Sequence, residues 1–266
     1  MPQIELIESA DFFIEKEEYR GPMHAMHHHR SFELYFLCKG EREYFIDDRF
    51  FKLTEGDMVL VPRAMLHRTA GKGATRFLLH FSESFLLRFF TREALTPLLS
   101  RRPFVFRADE SGREHLSRIL HTLLMEYNRA EREGTPQNDA MLAGYLYQLL
   151  FTMTFATNTY VPHDYADGRV TQVIKYINEN YNQITDIEEI AAHFYISKYH
   201  LCRVFRQATG LTVHQYIRRK RITLVKELAT EGKNLTEAAL LAGFNDYSAF
   251  YRAYKGEFKT APKKDF

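Results

Sequence analysis

Residues Thr185–Gly210 read TDIEEIAAHFYISKYHLCRVFRQATG, and Asn234–Lys259 read NLTEAALLAGFNDYSAFYRAYKGEFK. Laid over each other, Arg203 falls on Arg252, Phe205 on Tyr254 and Arg206 on Lys255. Each stretch opens with the spacing of a capping box, Thr185-x-x-Glu188 and Asn234-x-x-Glu237, which marks a helix start. Each breaks after a short apolar helix and restarts at a second cap, Ser197 in the first copy and Asn245 or Asp246 in the second. The pattern predicts a short helix, a tight turn and a second helix with exposed basic and hydrogen-bonding side chains. That is how a chain offers a helix to a DNA major groove. Written twice, it supplies two reading heads for successive grooves of one duplex.

Charge separates this region from the rest. Residues 169–266 hold 16 Lys+Arg against 10 Asp+Glu; the totals of 36 and 34 leave 20 and 24 for residues 1–168. A net of +6 is thus joined to a net of −4, and the near-neutral chain is two opposite halves. A basic block beside an acidic one implies an anionic partner for the basic block, and the duplicated motif identifies it as double-stranded DNA.

Residues 169–266 resemble the DNA-binding domain of the AraC/XylS family of bacterial transcription regulators. The resemblance rests on ISKYHLCRVFRQATG, on Tyr216-Ile217…Arg221-Ile222 at the start of a long helix, and on GFNDYSAFYRAYK from Gly243. The chain departs from the family pattern at Ala238, Lys259 and Asp265.

Between the heads, Thr212 to Thr230 reads as one uninterrupted helix with an apolar stripe of Val213, Ile217, Leu224, Val225 and Leu228, ended by Gly232. Nineteen residues at about 1.5 Å each make a rod of roughly 28 Å, near the roughly 34 Å between adjacent major grooves. Helix phase puts Leu201, Val204 and Phe205 of the first recognition helix inward and leaves Lys198, Tyr199, Arg203 and Arg206 for the groove. In the second, Phe250 and Tyr254 point inward and Asp246, Tyr247, Ser248, Tyr251, Arg252 and Lys255 remain. Arg203 and Arg252 are the candidates for base contacts, because an arginine fork holds guanine O6 and N7 together. Lys198, Arg206 and Lys255 suit phosphates, which fix register without reading sequence. Arg218, Arg219 and Lys220 fit a solvated helix face as well as they fit DNA. The resemblance implies base reading at Tyr199, Arg203, Tyr247, Ser248 and Arg252.

The front of the chain is different material. FELYFLC, REYFI, RFFKL, DMVLV and TRFLLHF, within residues 31–82, are short aromatic and β-branched runs separated by KGE, DDR, TEG and a longer RAMLHRTAGKGA segment. Such runs predict a small antiparallel barrel or sandwich. Within them lie Gly21-x5-His27-x-His29-x3-Glu33-x6-Gly40 and Gly56-x5-Pro62-x-Ala64-x2-His67. These spacings resemble the two motifs of the cupin superfamily, whose barrel often holds a metal through three histidines and a glutamate. The first motif matches throughout; the second departs at Ala64 and Gly71. His27 and His29, one residue apart on a strand, point to the same face. With Glu33 and His67 they form a donor set for divalent Zn, Mn, Fe or Ni. The same residues, with Tyr35, equally suit the polar lining of a pocket for an organic effector. His24 and His28 read as solvated neighbours, and His80 faces either pocket or solvent.

Two helices are expected next, Ser111 to Arg132 and Pro136 to Asn158. Leu116, Ile119 and Leu123 of the first suit a homodimer seam, or both helices simply cover the barrel. The second is apolar nearly all round: Met141, Leu142, Tyr145, Leu146, Leu149, Leu150 and Met153. Residues 157–168 read as a linker. The expected division is therefore an α+β chain of a cupin-like barrel (1–108), a helical dimerisation segment (109–158) and an all-α double helix-turn-helix domain (168–266).

No secretory signal and no run of about 20 apolar residues is seen, so a cytoplasmic protein that does not enter a membrane is expected. Cys38 and Cys202 fall in different domains and imply no disulfide. The function expected is a DNA-binding transcription regulator, an activator controlled by a small-molecule effector, which recruits RNA polymerase to a catabolic promoter. The resemblance implies a sugar as a common effector. A metal-dependent cupin enzyme fused to a DNA-binding domain is the rival from another class, and a DNA-binder with a purely structural front is the third.

Overall fold

The strands of the front domain alternate between two cores rather than between core and water. In the computed structural model they are β1 (Phe12–Tyr19), β2 (Phe32–Lys39), β3 (Arg42–Ile46), β4 (Arg49–Leu53), β5 (Asp57–Val61), β6 (His67–Ala70), β7 (Ala74–Phe81) and β8 (Phe104–Arg107). They build a five-stranded sheet ordered β1-β7-β2-β5-β8 and a three-stranded sheet ordered β4-β3-β6, with antiparallel pairing throughout. The structure describes residues 11–19, 26–27, 29–46, 49–63, 65–71, 73–99, 104–133, 137–155, 168–258 and 260–262. Gly21, His24, His28, Ala64, Lys259, Asp265 and the expected linker at 157–167 lie outside the described residues.

Side chains of successive strand residues point to opposite faces, and here both faces are covered. Phe32, Leu34 and Phe36 of β2, Met58 and Leu60 of β5, and Phe77, Leu79 and Phe81 of β7 belong to a core shared with helices. Tyr35 and Leu37, Val59 and Val61, and Ala74 and Leu78 face the second sheet, where Tyr44, Ile46, Phe51 and Leu53 meet them. The space between the sheets is also where Glu33, Arg76 and His80 fall by parity. The expected long connection after Val61 holds a strand of its own, β6, and β1 and β8 extend the sheet with residues on either side of 31–82. Short runs with few β-branched residues, such as HRTA, become strands through pairing with β3, not through propensity.

Helices α1 (Glu83–Leu87) and α2 (Arg92–Leu95) start at Ser82 and Thr91, whose hydroxyls accept the Phe85 and Ala94 amides. Helices α3 (Glu110–Glu133) and α4 (Asp139–Phe155) follow. Leu116, Ile119 and Leu123 of α3 are buried in the core against the five-stranded sheet and α4. They are therefore interior residues of one chain and cannot form a seam between two. On α4, Leu142, Leu146, Leu149, Leu150 and Met153 are buried in the same core. Both helices belong to the first of two compact units, Met1–His163 and Asp164–Phe266.

The second unit is helical: α5 (Gly168–Asn180), α6 (Ile187–His193), α7 (Lys198–Thr209), α8 (Val213–Thr230), α9 (Leu235–Leu241) and α10 (Tyr247–Phe258). The first cap is Asp186, not Thr185: the Asp186 carboxylate accepts the Glu188 amide at 3.1 Å, and Thr185 donates instead to Glu189. Ser197, Asn234 and Asp246 cap α7, α9 and α10. Thr212 and Gln215 form a reciprocal capping box at the start of α8. Its 18 residues make a rod of about 27 Å. Beyond the expected stripe, α8 buries Tyr216 and Ile222 completely. The Tyr216 hydroxyl donates to Asn178 on α5 at 3.0 Å.

Two contacts lock the heads together within this unit. The Arg221 guanidinium on α8 donates to the carbonyls of Tyr181 and Ile184, at 2.8 and 2.7 Å, in the loop before α6. On that loop rests Gly243, in the turn of the second head, with φ +90°; a Cβ there would lie 2.1 Å from the Asn182 carbonyl oxygen. Only glycine fits.

Candidate functional site

The histidines of the first unit converge where the two sheets come together. Residue 27 is zipped to β6 by reciprocal backbone bonds, His27 N–H to the His67 carbonyl at 3.0 Å and the reverse at 2.9 Å. Glu33 and His80 are direct cross-strand partners on β2 and β7. His29, Glu33, His67 and His80 are all buried, while His27 is half-buried. Three imidazole Nε2 atoms close on one oxygen, Glu33 Oε2: His29 at 3.2 Å, His67 at 3.4 Å and His80 at 3.5 Å. The Tyr44 hydroxyl donates to the other oxygen, Oε1, in a short bond.

Tautomers follow from the partners. His29 Nδ1 lies 2.7 Å from the Ser31 carbonyl and His67 Nδ1 lies 2.8 Å from the Met65 carbonyl. A carbonyl only accepts, so both Nδ1 atoms carry hydrogen and the neutral rings aim their Nε2 lone pairs at the carboxylate. Lone pairs facing a carboxylate oxygen repel it unless protons or a cation lie between. Burial pushes the Glu33 carboxyl up, but protons placed between the rings and the carboxylate, His67 foremost, would outweigh it and hold it well below the usual range. Burial pushes His80 down to about 3, against the pull of Glu33.

The structure brings His27, His29, Glu33 and His67 together as expected, with donor atoms within 4.8 Å of one another. The test of fit to a divalent ion is chemical. His67 Nε2 is buried without a hydrogen bond, and ligand rings oriented by Nδ1–H bonds to carbonyls are the outer shell that metal-binding histidines use. The donor set fits. Tyr35 lies deeper, edge-on to Tyr44 at 5.2 Å, with the Arg76 guanidinium 5.6 Å from its ring centre. Burial pushes the pKa of its hydroxyl up to about 12, against the pull of Arg76 and Arg42. Tyr44 and Ser31 join the cluster without any spacing in the sequence that marks them, and His80, open between pocket and solvent in the sequence, faces inward. The signal for His80 was parity: in TRFLLHF, Phe77, Leu79 and Phe81 form the apolar face, so Arg76, Leu78 and His80 share the other.

The candidate nucleic-acid interface lies on the second unit. Lys198, Tyr199, Arg203 and Arg206 are exposed on α7, and Asp246, Ser248, Arg252 and Lys255 are exposed at and along α10. Tyr247 and Tyr251 are half-buried, Tyr247 packing on the second head's core. Leu201 and Phe205 are fully inward, whereas Val204 is only half-buried. Lys198 is in a short ion pair with Glu188, which raises its pKa. Arg203 reaches His200 at 3.3 Å. Lys198, Tyr199, Cys202, Arg203, Arg206 and His214 line an open groove of about 620 Å³ beside α7. Of the three uncertain bases, Arg219 pairs with Glu257 and Lys220 sits over the Tyr181 ring, while Arg218 is exposed.

Residues 9–150 match the model of the AraC-like ligand-binding domain, more than half of the chain, and residues 190–265 match a helix-turn-helix domain. The chain belongs to the AraC family of transcription regulators. It is similar to the HTH-type transcriptional activator RhaS of Yersinia pestis, 23% identical over 274 residues and 97% of each chain. It is also similar to the Msm operon regulatory protein of Streptococcus mutans, 24% identical over 239 residues, 88% of this chain and 83% of the other. Among solved structures, fatty-acid-bound ToxT of Vibrio cholerae aligns over 97% of this chain and 95% of its own, at 13% identity and a TM-score of 0.41. An AraC-family chain of this composition is a ligand-responsive DNA-binding regulator and not an enzyme, which removes the fused-enzyme rival. Among the described residues, no helix is long and apolar enough to cross a membrane.

Proposed function

We propose that this AraC-family regulator is a cytoplasmic activator of a catabolic operon, working as a homodimer that engages promoter DNA and RNA polymerase when a small effector occupies the barrel. The observation that carries the DNA-reading part is the match of α7 and α10: twelve residues each, each capped at its first turn, with Arg203 and Arg252 at the same place. In this reading the two arginines contact bases in adjacent major grooves with Tyr199, Tyr247 and Ser248 beside them. Arg206 and Lys255 take phosphates. Asp246 and Tyr251 flank the second contact, and Lys198 joins the phosphate contacts after leaving Glu188, its partner in an exposed and therefore weak pair. Activation is supported by the relatives named as an activator and an operon regulator.

In the barrel, His27, His29, Glu33 and His67 would hold a divalent ion, and Tyr35 would line the space beyond it. A bound ion would supply a Lewis-acid point for the oxygen donors of an effector such as a sugar. The protein's own residues set ring orientation and exclude water around the carboxylate.

The dimer seam in this reading is the outer face of α4. Phe151 and Phe155 are 48% and 58% exposed, and Phe90, Tyr147, Phe151 and Phe155 form a ladder of ring contacts at 4.4, 6.3 and 4.5 Å. No charged residue follows Asp139 in the helix, so the face packs on a second copy of itself without burying a charge.

Selection of bound sites from a random duplex pool, followed by affinity measurements, tests the function. The expected product is a site with two conserved halves about one helical turn apart within each monomer's footprint. Enrichment of no sequence at all would overturn specific recognition.

A further inference from the structure

The motif that picks out His27, His29, Glu33 and His67 says nothing of β7, yet β7 delivers a fourth imidazole to the same carboxylate. His80 is 3% exposed, opposite Glu33 in register, and perpendicular to His29 with ring centres 4.6 Å apart. His27 lies 4.3 Å from the His67 ring but 6.1 Å from His29, centre to centre, and unlike the other three histidines it is half-buried. A tetrahedral ion with bonds of about 2.0–2.1 Å sets its donors about 3.3–3.4 Å apart. The three Nε2-to-Oε2 separations at Glu33 are 3.2, 3.4 and 3.5 Å. His80 also has its own outer-shell partner: Nδ1 lies 3.1 Å from the Ser31 hydroxyl. A hydroxyl oxygen accepts as well as donates, so Nδ1–H can bond to it and leave Nε2 as a lone pair. Ser31 thereby orients two rings, His29 through its carbonyl and His80 through its side chain.

We propose that His80 is a metal ligand of this barrel, forming with His29, Glu33 and His67 the inner donor set, and that His27 is the outer, exchangeable position. The proposal rests on the reading that the barrel holds a divalent ion. It differs from that reading in which histidine is indispensable. His27, half-buried at the rim, would be the donor open to exchange with an incoming oxygen ligand, and His80 would be retained.

The test uses the full-length protein, stripped with chelator and titrated with Co(II) and Zn(II). Affinity is measured by competition with a chromophoric chelator, and the visible bands of the Co(II) form report donor number and geometry. His80→Ala is expected to lower affinity at least about 100-fold and to change the Co(II) spectrum, while His27→Ala lowers it less. His80→Gln, closer in volume and polarity, is the second variant, and thermal unfolding of each metal-free protein checks that it is folded. If wild type binds neither ion, the metal reading falls and His80 falls with it. If wild type binds but His80→Ala or His80→Gln binds as tightly with the same spectrum, His80 only hydrogen-bonds to Glu33; the proposal is then overturned while the metal reading stands.

Discussion

Gly243→Ala should unseat the second DNA-reading head. At φ +90° an alanine pays about 1–2 kcal/mol for the left-handed backbone alone. Its Cβ would also stand 2.1 Å from the Asn182 carbonyl oxygen, more than an ångström inside contact, and the neighbour is backbone that cannot rotate away. That backbone belongs to the loop whose Tyr181 and Ile184 carbonyls receive Arg221. Displacing it forfeits at least one bond to a charged donor, about 1.5–3 kcal/mol. The expected loss is about 3–5 kcal/mol, or about 12 °C or more in the melting of a unit this size. Tyr195 occupies the equivalent turn of the first head: its φ is +53°, it is 96% exposed, and the following amide bonds back across the helix end in both copies, Ile196 to Ala191 and Phe244 to Ala239, each at 3.0 Å. Tyr195→Gly should therefore stabilise, by up to about 1 kcal/mol, through relief of the same strain. Calorimetry of the full chain reads both variants in the transition of the helical unit. A Gly243→Ala protein within about 1 kcal/mol of wild type would refute the reasoning, as would a Tyr195→Gly protein that loses as much as the alanine variant.

Arg203→Ala and Arg252→Ala should each cost about 1–3 kcal/mol at the selected DNA site and relax base preference in different halves; loss of discrimination in the same half would count against two grooves. Arg206→Ala and Lys255→Ala should weaken all sequences alike and lower the salt slope by about one unit each, seen in anisotropy titrations across ionic strength. Phe151→Glu with Phe155→Glu should give a folded monomer in sedimentation, whereas Leu116→Ala should lose about 2–5 kcal/mol of stability and remain a dimer. Zn(II) should raise the melting temperature of the first unit in wild type but not in a His29→Ala, His67→Ala double variant; equal shifts in both would place the ion elsewhere.

The helical unit was legible because its signals are local. A cap and the helix it starts lie within four residues, and Ser197, Thr212, Asn234 and Asp246 cap their helices in the structure. The one misplaced cap shows the limit of such reading. Thr185 and Asp186 are both cap formers, and the choice went to Asp186, with Thr185 turned to Glu189. What the sequence did not show was the bracing between heads. Arg221 appears in the sequence only as part of the family pattern, and its bonds to carbonyls about 40 residues away leave no periodic trace. The misjudged seam has a similar cause: Leu116, Ile119 and Leu123 do form an apolar stripe, but a stripe does not say whether a sheet of the same chain or a second copy covers it.

The barrel was harder because its strands are buried on both faces, so alternation of polar and apolar residues is weak. Parity still survives in β7. Phe77, Leu79 and Phe81 must face the helices, since a one-residue slip would drive Arg76 and His80 into an aromatic core and leave those two uncompensated there. The aromatic face of β7 therefore fixes the register that sets His80 opposite Glu33. That makes the polar cluster a consequence of the apolar packing on the far side of the sheet. A carboxylate and three imidazoles in so dry a place are costly unless something binds them together. Burial alone would favour a neutral acid, yet the Glu33 carboxyl is held well below its usual range. The cluster lies within residues 9–150, which match the AraC-like ligand-binding domain, and its cost is the reason we propose it as the place where the effector signal enters.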